Sequence, residues 1–277
     1  MHRDSTWWYV FVLAFVATAL AETFVPLRSL PSPTSRRWIS NSILFLVSQA
    51  AVVFAYQFSG IALAFTIRAA SHGVLNRASI PYTWQFVVGF AALDLTAYVT
   101  HRLFHSLAPM WRVHRVHHSE TDLDLTTGFR FHPVELLLGE GLALIVVALL
   151  GPPPGAVGFA ALAVIVQDFF VHANLRIPES ADDVLRLLII TPAMHRLHHS
   201  EGFEEQNTNF GTIFSFWDRL FGTYRAGHLA GSTRYGLTDM DRGSEANAAR
   251  LLLLPFRSAS KETSSLDAPP LPDVQRE

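Results

Sequence analysis

The chain has 277 residues, half of them hydrophobic, with only 16% charged, a net charge of −2 and no cysteine. A charged fraction below the roughly 25% of soluble domains, with a positive mean hydropathy of +0.26, points to a membrane protein. Near-neutral charge with scattered basic residues argues against a nucleic-acid partner, and the lack of Cys excludes disulfides and thiolate metal sites, leaving imidazole and carboxylate as strong ligands.

The first apolar run, Trp7 to Leu27, is long enough to cross a hydrocarbon core of about 30 Å as a helix, with paired Trp at one interface. A signal peptide cut at "ALA", Ala19 to Ala21, is the competing reading, but the preceding segment carries Asp4 beside Arg3 and the apolar run continues past the site. The second run, Ile43 to Ile67, is interrupted by "QFSG" and reads either as one span or as a re-entrant pair. The third, Tyr82 to His105, begins apolar and ends in histidines. The fourth and fifth, Val134 to Leu150 and Gly155 to His172, are joined by "GPPPG", which no helix continues through, so they form a hairpin.

The expectation is an all-α polytopic membrane protein with about four to five transmembrane helices and a helical, histidine-rich cap. Arg28, Arg36 and Arg37 follow the first span, and Arg102, Arg112, Arg115 and Arg130 follow the third. If the second span is single, both groups share one side, which places the cap in the cytoplasm by the positive-inside rule. Residues 200–225 read as soluble in character. "ARLLLLPF" reads as either lying on the membrane or packing on the domain, and the Ser-, Pro- and acid-rich end reads as a disordered tail.

Of thirteen histidines, many fall in one pattern. "HRVHHSETD", from His114, returns as "HRLHHSEGF", from His195, and "HRLFH" ends the third span. Helical residues three and four apart share a face, so His101 faces His105, His114 faces His117 and His118, and His195 faces His198 and His199. Each doubled motif thus offers three ligands on one face, with Arg115 and Arg196 turned away. His172 ends the fifth span one turn after Asp168, an acid able to fix its tautomer. A single His pair is ordinary at a membrane interface, but three clusters at span ends are costly without a metal. Nine imidazoles exceed the needs of one ion and argue for two. An apolar membrane substrate offers mostly C–H bonds, whose oxidation needs dioxygen activated at a metal, which favours iron.

These motifs resemble the fatty acid hydroxylase superfamily, the sterol desaturase-like integral-membrane di-iron oxygenases of bacterial type. HxxxH at a span end, HxxHH, a histidine near the end of a later hairpin and a second HxxHH occur in the family's order. "MWRVHRVHHS", "RFHPVE" and "NFGTIFSFWDRLFGTY" echo its surrounding text, from about Phe90 to Tyr224. The resemblance implies His101, His105, His114, His117, His118, His172, His195, His198 and His199 as ligands of two iron ions. It also implies dioxygen as co-substrate and hydroxylation or desaturation of a membrane lipid (sterol, fatty acyl or isoprenoid chain). A hydroxylase-like domain would cover residues 81–228, after N-terminal spans in 1–80 and before a tail in 229–277, in a bacterial inner membrane.

Several family members carry a further histidine where this chain has Arg176. His132 or a water on Asn174 could stand in, although His132 before Pro133 reads equally as a capping residue. Asp94, on the face of His101, is either functional or bonded to a neighbour, Tyr98 packs, Asn207 and Asn209 orient ligands or make turns, and His72 and His228 lie exposed in loops. No GxGxxG fingerprint occurs, so electrons come from an external donor, cytochrome b5-like or a ferredoxin with its reductase. A zinc-dependent membrane hydrolase and a non-catalytic metal-binding protein are the rival readings. No HExxH supports the former.

Overall fold

A computed structural model describes residues 5–31, 34–57, 59–78, 80–226, 233–240 and 247–257. Their regular structure is helical, with isolated bridges and no sheet among the described residues. Helix α1 (Ser5–Phe24) is free of Gly and Pro and stops before Pro26. Its Phe11 and Phe15 interleave with Phe129 and Phe169 at centroid separations of 5.5–6.3 Å.

Helices α2 (Thr34–Tyr56) and α3 (Gly60–Ala69) settle the "QFSG" question. The chain breaks at Gln57 (φ 54°) and restarts with Ser59 capping Ala62 N. Contacts with the next hairpin, α7 (Pro133–Leu150) and α8 (Pro154–His172), then advance in one direction. Ser48 donates to Phe131 O, Tyr56 to Leu137 O, Gly60 lies beside Leu144, and Ala64 packs with Val147. Beyond α3, Gly73 (φ 85°) meets Gly151 (φ 66°), where a Cβ on Gly73 would lie 2.5 Å from the Gly151 Cα. So α2 and α3 form one broken span rather than a re-entrant pair. His72 is exposed at this far end.

A short turn of helix, α4 (Val74–Arg77), leads into α5 (Tyr82–Ser106), which runs back from Gly89, packed on Pro152, to His101 and His105. The hairpin expected at "GPPPG" is present, with Gly151 as the left-handed cap of α7 and Pro154 opening α8. Among the described residues, three segments are long and apolar enough to cross a membrane: 34–77, 133–150 and 154–172. The apolar part of α1 is shorter, and the second half of α5 carries Asp94, Thr96, Thr100 and the histidines. Helices α1, α5 and α8 therefore end on one side, where α2 begins.

The cap on that side comprises α6 (Ala108–His118), a 3-10 turn (Leu125–Phe129), α9 (Glu179–Leu185), α10 (Pro192–His198), α11 (Phe203–Gln206), α12 (Phe216–Leu220) and α13 (Ala248–Leu253). "ARLLLLPF" packs on the domain: Leu251 and Leu254 join Leu44 and Val116 in a buried cluster, while Leu253 and Phe256 stay exposed. Part of the expected tail also returns to the cap, with Tyr235 under the Arg28 guanidinium at 4.3 Å and Asp239 paired with Arg115. Residues 258–277 and His228 lie outside the described residues.

Several arginines counted for orientation prove to be internal ties. Arg37 donates to Asp124 at 2.7 Å, and Arg130 reaches Val116 O, Asn41, Glu120 and Ser119 at 2.8–3.3 Å. Residues 200–225 are less soluble in character than expected. Ile213 N, Phe214 N and Trp217 Nε1 donate to Asp94, midway along α5, and the Phe214 ring lies 5.7 Å from that of Phe90.

Candidate metal centre

The nine motif histidines converge from α5, α6, α8 and α10 into two groups. The first holds His101, His105, His114, His118 and His198, and the second holds His117, His172, His195 and His199, with the ligand atoms of each group within 4.8 Å of one another. This corrects the expectation of three ligands per motif on one face. In each motif the first and last histidines stay together while the middle one crosses to the other group. The cause is helical geometry, since successive residues point about 100° apart, so His117 and His118 diverge. Their rings lie at 85° to each other.

Hydrogen bonds fix several tautomers. A carbonyl only accepts, so the Nδ1 atoms of His101, His172 and His198 donate to Phe210 O, Asp168 O and Thr208 O at 2.8–2.9 Å. His114 Nδ1 lies 2.5 Å from Glu135 Oε1. The Nε2 lone pairs of these four rings then face the centre, an arrangement common around metal-bound His. The Nε2 atoms of His101, His105 and His198 are buried without a hydrogen-bond partner. Other Nε2 pairs approach to 2.8–3.2 Å: His114 with His118, His117 with His172, and His195 with both His172 and His199. Nitrogens bound at about 2.1 Å to one ion lie roughly 3 Å apart at the edges of its coordination shell, so the donor set fits two metal ions.

Burial, followed by repulsion from neighbouring imidazoles, holds the cap histidines His117, His118, His195 and His199 well below the usual histidine pKa. They are neutral, as ligands must be. Arg115 and Arg196 do turn away from the centre, but into the protein: Arg115 pairs with Asp239 and Arg196 donates to Ala173 O and Leu175 O.

The secondary candidates take other roles. His132 caps α7, its Nδ1 accepting from Val134 N at 3.2 Å and its Nε2 3.3 Å from Leu252 O, so neither nitrogen is free for a metal. Asn174 ties the α1–α2 connection, its N donating to Glu22 and its side chain bonding both Arg28 N and Arg28 O. Asp168 supports His172 through its backbone carbonyl and not its carboxylate. Asp94 is an acceptor for the 213–217 loop. Arg176 is exposed, its N donating to Val25 O. Tyr98 packs on Phe221 and bonds Thr223.

The loop that aims His101 and His198 is built by "NFGTIFSFWDRLFGTY". Asn209 takes φ 54° and donates to Met194 O and Arg225 O, while Asn207 makes a local turn to Phe203 O. Asp218, fully buried, accepts from Phe210 N, Gly211 N and Thr223 Oγ1 at 2.7–2.9 Å. Asp218 and Glu135 were not singled out from sequence. The available signal was that each is the lone acid of its motif, "RFHPVE" or "NFGTIFSFWDRLFGTY".

Beneath the histidines a cavity of about 540 Å³ runs between α5, α7 and α8. His101, His114, His117, His172 and His195 line its head, and Leu144, Val147 and Val157 line its depth.

A fatty acid hydroxylase domain matches residues 86–223. The chain is 33% identical to the ornithine lipid hydroxylase OlsE of Rhizobium tropici over 57% of its length and 47% of the relative's. It is 28% identical to the alkylglycerol monooxygenase of Homo sapiens, over 57% of this chain and 34% of the relative, and 30% identical to the fatty acid hydroxylase vlmA of a Lecanicillium species, over 47% and 39%. It thus spans less than half the length of each of these three relatives. No solved structure matches. Through its matched domain, which contains all nine converging histidines, the chain belongs to the fatty acid hydroxylase superfamily.

Proposed function

We propose that this protein is a di-iron membrane oxygenase that hydroxylates a lipid. The observation that carries the reading is the placement of two all-imidazole groups at the head of a cavity whose depth is lined by Leu144, Val147 and Val157. Iron ions held by the five and four histidines would supply reductive activation of dioxygen, converting a C–H bond to C–OH with two electrons and two protons and releasing the second oxygen atom as water. The protein's part is to hold the ions, to orient a hydrocarbon chain along Leu144 and Val157, and to keep bulk water from the reacting end. The nearest acid, Glu135, bonds a histidine and so acts on the metal through His114. Hydroxylation is favoured over desaturation because the relatives' names are those of hydroxylases and monooxygenases.

The electrons come from an external donor, such as a cytochrome b5-like protein or a ferredoxin with its reductase, docking on the cap. The exposed Arg36 and Arg112 on that side support a cytoplasmic cap, in a bacterial inner membrane. The test is product formation from lipid extracts by iron-loaded protein with dioxygen and a reducing system, read as a mass gain of one oxygen atom. Label from ¹⁸O₂ should appear in the product. Hydrolysis products from a zinc-loaded, anaerobic sample would favour the hydrolase reading instead.

A further inference from the structure

Polar side chains inside two helices are spent on one irregular part of the chain. Helix α8 runs from Pro154 to His172, about 28 Å at helical rise, and gives a depth scale counted from the histidines. Its Gln167, about 7.5 Å along the helix from His172, donates to Ile190 O at 2.6 Å. Asp94, about 10 Å along α5 from His101, accepts from Ile213 N, Phe214 N and Trp217 Nε1. Deeper still, the Phe214 ring lies 5.7 Å from that of Phe90, and the Phe90 ring 5.1 Å from that of Phe159, about 20 Å along α8 from His172. The chain around residue 214 therefore descends beside the helices to near the middle of their length.

Irregular backbone is tolerated at that depth only where its polar groups find partners inside the protein. Ile190 N donates to Ile213 O, Ser215 N to Leu188 O, Ser215 Oγ to Arg186 O, and Phe210 N and Gly211 N to Asp218, so these bonds are made without water. The outer side is nevertheless apolar and open: Val184, Leu187, Leu188 and Leu220 are 59–69% exposed. Nearby charges are engaged, Arg186 by Asp182 and Asp183, and Arg219 by Ser215 O, Arg186 O and the Tyr224 ring. We propose that residues 184–190 and 211–221 form a re-entrant membrane element, whose outer face packs against the acyl chains of the bilayer. Lipid is the occupant because the rings of Phe159, Phe90, Phe214 and Phe216 succeed one another at 5.1–5.7 Å, joining this face to the outer side of the spans without a polar break. Asp94 then serves to satisfy amides within the membrane. The proposal stands whether or not the metal centre oxidises a lipid.

The chain has no cysteine, so single-cysteine variants take a fluorescent label at one place. The test uses the full-length, iron-loaded protein in phosphatidylcholine nanodiscs, labelled at Leu188→Cys or Leu220→Cys, with Leu187→Cys replacing either variant that loses iron. Ile145→Cys, on the exposed side of α7, is the lipid reference, and Glu204→Cys, on an 89% exposed side chain, is the water reference. Quenching by aqueous iodide should be about tenfold weaker at 188 and 220 than at 204, because hydrocarbon excludes an anion. Quenching by brominated acyl chains at 188 and 220 should match that at 145. Iodide quenching at 188 and 220 equal to that at 204 would overturn the proposal by placing the face in water. Protection from both quenchers would also overturn it, by assigning the face to a second copy of the chain or another protein.

Discussion

The two HxxHH segments are near copies in sequence but are held in different ways. The first lies on α6, an 11-residue helix, and is supported by a side chain, Glu135 on His114. The second lies on α10, a 7-residue helix, and is supported by the backbone carbonyl of Thr208 on His198. Glu135 acts on His114 through its own side chain, whereas the carbonyl support depends on the loop that carries it. The first segment should thus be sensitive to one acid, and the second to the integrity of residues 207–223.

The largest effect expected is from the ligands themselves. His118→Ala, in the first group, and His199→Ala, in the second, should each lower product formation by more than about 100-fold while leaving membrane insertion intact, because the apolar spans drive insertion. Turnover assays alongside membrane fractionation check this, and activity near wild type in either variant would remove that residue from the ligand set. Asp218→Ala should come next. It strips the acceptor from two buried amides, costing about 3 kcal/mol, and lets the His101 and His198 supports drift. A lowered melting temperature with weakened metal binding is the expected result.

Glu135→Gln should be milder, lowering metal affinity roughly 10–100-fold in the first group while sparing the second. Competition with a chelator measures it. For the metal-free protein the pH dependence has a definite sign. The folded cap histidines sit below the usual value of 6.5, so under that pH the unfolded chain takes up protons that the folded one resists. The contribution of these histidines should be fully present above about pH 7 and be lost as pH drops through 6.5, seen as a fall in melting temperature that is smaller when His118 and His199 are replaced. Smallest is His132→Ala, which should cost about 1 kcal/mol for a lost cap and leave metal content unchanged. Lost metal in that variant would restore His132 as a ligand candidate.

Much of this was legible in the sequence because the informative signals were local. Apolar run lengths, the "GPPPG" turn and the spacing of His101, His105 and the two HxxHH segments all act within a few turns of helix. The crossing of His117 and His198 between groups was implicit in the 100° advance per residue, but seeing it requires two helices placed face to face. The supports of the site were not legible because their partners lie far apart in the chain: Glu135 is 21 residues from His114, and Phe210 is 109 from His101. The same distance hid the true role of Asp94, whose partners begin 119 residues away. Counting arginines also misses that a positive charge at a span end can be an internal tie, as Arg37 and Arg130 are.

The central claim is that two metal ions are held by two separable sets of histidines. The direct measurement is iron per chain, by elemental mass spectrometry on protein purified in mild detergent from iron-replete cells, for the wild type, His118→Ala and His199→Ala. About two irons in the wild type and about one in each variant are predicted, following the five-and-four division of the ligands. One iron or fewer in the wild type, or stoichiometric zinc in its place, would contradict the account.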